Sequence, residues 1–233
     1  MYLFSYFFMS LKTKKLFNIY EKLLKLYGLQ GWWPLIDFKG TNPTKTGSVQ
    51  GYHPGDYSFP RNELQQFEIC IGAILTQNTA WPNVEKALLN LKTINALDPK
   101  KILFLEDKKL KQAITPAGYF NQKAKKLKLF SKFYISLKGK TPAREELLDV
   151  WGIGPETADS ILLYAYKQPE FVVDAYTRKV FGPCFDEGFN SINSDATYDD
   201  IKLLFEINLP RDYKLYQEFH ALIVEHAKNI GKK

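Results

Sequence analysis

Sulfur and imidazole are scarce in this chain of 233 residues, which has 2 cysteines, 2 methionines and 3 histidines. Cys70 and Cys184 alone cannot supply a four-thiolate zinc site, a cysteine-ligated iron–sulfur cluster or a disulfide framework. Cys70 sits in an apolar helical run, the place of a small core residue. Long apolar runs are missing too. The opening MYLFSYFFM is too short to span a bilayer, with no basic residue before it and no small-residue cleavage site behind it. A cytoplasmic setting without a membrane is the expectation. Internal repeats, low-complexity tracts and alternating β-branched runs are likewise absent, and the apolar stretch 171–173 is too short to count as a strand. Without strand patterns, the chain reads as all-α.

What is present fits a globular protein: 45% of residues are apolar and 24% charged. The length suits one large domain or two small ones sharing a core. An aromatic share of 15% is high, enough to fill a core and leave rings for a ligand. The formal charge of +7 and pI of about 9.1 suit a polyanionic partner, although many enzymes share that balance.

Apolar residues recur at helical spacing over 11–27, 62–78, 82–92, 99–106, 107–113, 120–137, 142–150, 155–167, 174–182, 195–207 and 210–229. Gly28 is placed to stop the first of these, Asp98 to cap the fourth, and Pro82, Pro99 and Pro142 to open first turns. Residues 39–60 are rich in Gly, Pro, Ser and Thr with no helical period, and read as a long loop.

The informative segment is 143–181. Two helices flank Gly152-Ile153-Gly154, a turn whose glycines permit positive φ and whose amides would meet a phosphate at the start of the second helix. A bare G-x-G also suits an ordinary αα-hairpin. After the second helix comes Phe171-Val172-Val173 and then Asp174, which suits a helix N-cap, a carboxylate at the rim of a nucleic-acid groove, or both at once.

Together these residues resemble the helix–hairpin–helix glycosylases of base-excision repair, endonuclease III and its relatives. The family's L-P-G-V-G-x-K-T-A, helix, V-D-T-H stands here as V-W-G-I-G-P-E-T-A, helix, V-D-A-Y. FEICIGAILTQNTAW (67–81) is similar to the helix ending at the DNA-facing loop, and GYFNQKAKKL (118–127) to the G-x-Y-x-x-K-A segment. The resemblance implies a two-lobed fold: a helical bundle over 65–168, and a second lobe from 1–64 and 169–233, with the DNA groove between them. Glu156 stands where strand-cutting members carry a lysine, and a carboxylate cannot form a Schiff base. The family's cluster-binding cysteines are missing. Both departures point to a glycosylase without lyase activity.

Within the family, the chain is most similar to the 3-methyladenine glycosylases that lack the cluster. Trp32-Trp33-Pro34, L-T-Q-N-T (75–79), G-I-G-x-E (152–156), V-V-D (172–174) and F-H-x-x-I-V-E (219–225) match, while that branch's lysine is Leu222 here. The resemblance implies that Asp174 is catalytic, that Gly152, Ile153, Gly154, Gln77, Asn78 and Lys123 contact DNA, and that Trp32, Trp33, Pro34, Tyr119 and Glu156 line the base pocket. It also implies a monomer acting on damaged double-stranded DNA with no cofactor, apart from a monovalent cation that hairpin carbonyls such as those of Val150 and Gly152 hold. Buried core rings are an equal reading for Trp32 and Trp33. Solvated helix positions are the plainer one for Glu156 and Asp159, and a structural turn for His53 and Asp56. His220 suits core or pocket alike. The run 125–132, KKLKLFSK, reads as a solvated or phosphate-facing surface. A hydrolytic enzyme on oxidised pyrimidines or mismatches, and a non-catalytic DNA-binding module, are the competing functions.

Overall fold

Caps and turn residues set the helix ends. The computed structural model describes residues 10–44, 50–186 and 196–230, with backbone only for 183–186. Helix α1 (Leu11–Tyr27) starts at Ser10, whose hydroxyl accepts from the Thr13 amide, and stops at Gly28, φ 70°, which donates to Leu24 O. Asn62 caps α2 (Glu63–Thr76), and Pro82 sits in the first turn of α3 (Trp81–Thr93). Asp98 accepts from Lys101 N ahead of α4 (Pro99–Phe104). Then come α5 (Asp107–Ile114), α6 (Phe120–Leu137), α7 (Arg144–Leu148) and α8 (Pro155–Ser160), which runs on into a π-helical turn, Ile161–Ala165. Among the described residues three more helices follow: α9 (Ala175–Asp186), α10 (Tyr198–Asn208) and α11 (Tyr213–Asn229). Among the described residues there is no strand, only an isolated bridge between Thr41 and Gln50 in the long loop. The fold is all-α. Pro142 departs from expectation: it precedes the N-cap Ala143 rather than opening the helix.

Helix α2 is the hub. Every residue from Phe67 to Leu75 is buried, where it meets α3, α6, α8 and the π turn. Gly72 is required there, because a Cβ would stand 2.9 Å from Trp33 Nε1. Helix α1 lies along α10 and α11, and α9 packs on α11.

The connection after the π turn is fixed by aromatic packing. Phe171 stacks on Phe205 at 4.0 Å between centroids, and Phe181 and Phe219 meet Phe205 edge-on. All four rings are fully buried. Burial of such a ring stabilises by about 1.5–3 kcal/mol. Beside them Lys202 is ion-paired with Glu170 and Glu206, and Glu206 accepts from Phe171 N.

A second tie joins the hairpin helices to α10. Asp159 accepts from Arg144 and from the Tyr198 hydroxyl, and Arg144 also reaches Asp199. Asp159 is fully buried, which corrects its reading as a solvated helix residue: it is the acceptor that Arg144 and Tyr198 share.

Candidate active site

The hairpin turn follows α7. Gly152 has φ 87°, a conformation that disfavours side chains, and the stem of Lys126 lies where its Cβ would be. Ile153 donates its amide to Val150 O at 3.0 Å and buries its side chain. Its expected role as a phosphate donor is corrected accordingly: that N–H is spent inside the turn. Gly154 is the N-cap of α8 and Pro155 opens the helix, so no side chain caps the first-turn amides. At this positive end of the helix Gly154 and Glu156 are exposed. In the turn Trp151 is half exposed with Lys125 Nζ 4.2 Å above its ring.

Gln77 reaches the same turn from the end of α2. Its Nε2 donates to Gly152 O at 3.1 Å and to Thr157 Oγ1 at 2.9 Å, while its Oε1 accepts from Lys126. Gln77 is thus tied to the hairpin, and Asn78, exposed at φ 54°, is the tip of that loop. The carbonyls of Val150 and Gly152, expected as cation ligands, each already accept a hydrogen bond, from Ile153 N and Gln77 Nε2, and retain one lone pair apiece.

Lys123 is not at the surface. It is 2% exposed, and its ammonium donates to Leu75 O and Ala117 O at 2.8 Å each. Burial, with Lys126 nearby, lowers it to about 8. The DNA-contact expectation for Lys123 is corrected to a clamp between Leu75 O, one of the α2 C-terminal carbonyls that helix geometry leaves without partners, and Ala117 O ahead of α6.

The two tryptophans differ in burial. Trp33 is core, edge-on to Trp81 and Tyr164 at 5.5 and 5.2 Å. Trp32 is half-buried, edge-on to His220 at 5.7 Å, with Lys228 Nζ 5.9 Å from its ring. Pro34 is buried against Gly51 of the long loop, and Tyr119 stands 66% exposed ahead of α6 with no ring contact to Trp32. The loop seats this segment: the His53 ring nitrogens lie 3.0 Å from Trp33 O and 2.8 Å from Asp56 O.

Asp174 closes the site. Oδ1 accepts from the Thr177 amide and hydroxyl at 2.7 and 2.9 Å, as an N-cap does. Oδ2 faces His220 Nε2 at 3.5 Å. Burial pushes the carboxyl up, but the adjacent His220 and the Thr177 donors outweigh it and leave Asp174 below the ordinary carboxylate range. Glu156, exposed at the start of α8, is held above its ordinary value by desolvation and then by the charge of Asp174. Two carboxylates whose values are pushed in opposite directions, one of them facing His220, suit glycosidic-bond cleavage. His220 could be placed only by packing. Its partner Tyr164 lies in the π turn, a feature no sequence pattern announced.

Comparison with known proteins agrees with this fold. The profile of the HhH-GPD superfamily of base excision DNA repair proteins matches residues 71–202. A Methanocaldococcus jannaschii protein provisionally named a DNA repair glycosylase is 42% identical over 95% of this chain and 91% of its own length. The crystal structure of H. pylori 3-methyladenine DNA glycosylase bound to 1,N6-ethenoadenine superposes with a TM-score of 0.65 at 29% identity, covering 94% of this chain and 98% of that one. A thermostable thymine-DNA glycosylase shares the fold, with a TM-score of 0.68 at 18% identity over 94% of this chain and 88% of that one.

Proposed function

The chain belongs to the HhH-GPD superfamily of base excision DNA repair proteins and is a DNA glycosylase, and on that premise we propose that it hydrolyses the N-glycosidic bond of an alkylated purine such as 3-methyladenine, without lyase activity, as a monomer on duplex DNA in the cytoplasm. The observation that carries the reading is Asp174 facing His220, whose ring in turn meets the half-buried Trp32 edge-on, with Glu156 close enough to feel the charge of Asp174. N3- or N7-alkylated purines are cationic. Negative charge and an aromatic face both attract a cation, the ring by ~0.5–2 kcal/mol. Leu222, fully buried, brings no ammonium to this site. The likeness to the H. pylori enzyme supports the same substrate class.

In the proposed reaction the exposed start of α8 at Gly154, with nearby lysines, holds the phosphates. Asn78 enters the space vacated by the flipped nucleotide, whose extrusion costs least for a damaged base. The base lies against Trp32. As the C1′–N bond breaks, the base leaves with the bonding electrons and so leaves neutral, and positive charge develops on the sugar. Ionised Asp174 stabilises that charge and takes a proton from the water that adds to C1′. The product is an abasic site in an intact strand. Glu156 supplies no amine for β-elimination, and the chemistry needs no organic cofactor.

The test uses end-labelled duplexes carrying 3-methyladenine, 7-methylguanine, thymine glycol, uracil or a T·G mismatch, treated with and without hot alkali. Breaks on alkylated purines that require alkali are the expected result. Breaks without alkali would reveal a lyase. Cleavage confined to thymine glycol or the mismatch would select the competing substrates, and bound DNA with no breaks the binding module. Trp32→Ala is expected to lower single-turnover excision of 3-methyladenine ~10- to 30-fold, the loss of one stacking partner. Trp33→Ala is read in melting temperature instead, because that ring is core.

A further inference from the structure

His220 is a buried titratable group at the site to which the reaction above gives no task. Its ring is 4% exposed. Nδ1 lies 2.7 Å from the Tyr164 hydroxyl, which is also 3.2 Å from Gln217 O. Nε2 has no hydrogen-bond partner among the described residues, and it faces Asp174 Oδ2 at 3.5 Å. A buried ring nitrogen left unpaired costs ~1–3 kcal/mol, so its retention calls for an account.

The two oxygens of Asp174 are unequal. Oδ1 is committed to Thr177 and the start of α9, which leaves Oδ2 as the oxygen free to meet a sugar or a water. An imidazole beside a carboxylate is favourable only with a proton on the nitrogen that faces it. Gln217 O can only accept and takes the single Tyr164 hydroxyl proton, so the hydroxyl oxygen accepts from Nδ1–H and the ring meets Oδ2 through Nε2–H as the cationic member of an ion pair. A neutral ring held this way would set a lone pair against Oδ2.

We propose that His220 is a positioning residue for the glycosylase reaction: oriented by Tyr164, it directs Nε2–H at Asp174 Oδ2 and fixes the angle at which that oxygen meets C1′ and the attacking water. The inference rests on the glycosylase reading. In the free protein the 3.5 Å separation is loose, and it closes as base and sugar fill the site.

A pair of variants tests it. Glutamine carries an amide nitrogen to about the position of Nε2, whereas asparagine stops near that of Nδ1. His220→Asn is expected to lower single-turnover excision of 3-methyladenine ~10- to 100-fold, the usual loss when an orienting partner is removed. Affinity for a duplex carrying a non-cleavable abasic analogue should stay within ~threefold, since the ground-state grip lies elsewhere. His220→Gln should restore most of the rate at an equal melting temperature. Tyr164→Phe should slow wild type ~10-fold and have no further effect in the His220→Gln background, because the two act through one bond. Equal rates in the Asn and Gln variants, or additive losses with Tyr164→Phe, would overturn the inference while the glycosylase reading stands. Wild-type protein that excises no base from the panel would overturn that reading, and this inference with it.

Discussion

Replacing Asp174 by Asn is expected to lower base excision by ~10²- to 10⁴-fold while leaving both the fold and duplex binding in place. The substitution separates the roles that this side chain combines. Asparagine is as good an N-cap as aspartate, so its carbonyl oxygen keeps the Thr177 bonds that start α9. What disappears is the charge and the second oxygen, the one facing His220. Because Asp174 is held below the ordinary carboxylate range, wild type keeps that charge across the neutral region and well into acid. The stability this shift contributes is present above the unfolded value of about 3.8 and is lost as pH falls through the folded one, so melting at neutral pH reports any loss of the ion pair independently of catalysis. Single-turnover excision, analogue binding and melting are the measurements. Excision within tenfold of wild type would remove Asp174 from the chemistry and leave it a cap alone.

Glu68→Gln is expected to stabilise the protein at pH 8 by on the order of 3 kcal/mol, with the gain vanishing below pH 4.5. Glu68 is 5% exposed on α2; its Oε1 accepts from Ile36 N at 2.7 Å, and Asp37 lies nearby. Burial first, then the charge of Asp37, push it up from 4.5 to about 7. A raised carboxyl favours folding while it is protonated in both states. That advantage is lost as pH rises from the unfolded value through the folded one. Wild-type melting temperature should therefore decline between pH 5 and pH 8 more steeply than that of the variant. Glutamine keeps an oxygen for the Ile36 amide and carries no charge to desolvate. Parallel curves for the two proteins would mean that Glu68 is solvated, or that Lys92 already neutralises it, through the cleft these residues share with Asn62 and Asn95.

The helices were legible because their ends carry chemistry: Asp98 before Pro99, Gly28 after Tyr27, and Pro82 in a first turn. So were the hairpin and the spacing to Asp174, since Gly152 takes a positive φ and Asp174 caps α9. Side-chain direction was not legible. Lys123, Lys125, Lys126 and Lys128 share a single run, yet one is buried under α2, one covers Trp151, one holds Gln77 and one pairs with Asp107. Charge patterning cannot rank neighbours whose fates depend on an element 48 residues away. Trp32 and Trp33 posed the same problem, settled by Gly72 opening space on α2 for one ring only. Asp159 reads as a surface residue until Arg144 and Tyr198 arrive from α7 and α10.

The bonds from Gln77 to the hairpin have a mechanical consequence. With Lys126 on its oxygen and Gly152 O on its nitrogen, the side chain acts as a crossbar between the loop tipped by Asn78 and the turn presenting Gly154. These parts would address different features of a duplex, one the base stack and the other the sugar–phosphate rail, yet neither can shift without straining the other. The protein thus carries a gauge of fixed span, set before any DNA arrives. On the proposed reading, a strand whose rail is seated on the turn would have its neighbouring stack already aligned with the probe, and inspecting successive bases would be a matter of stepping rather than refolding.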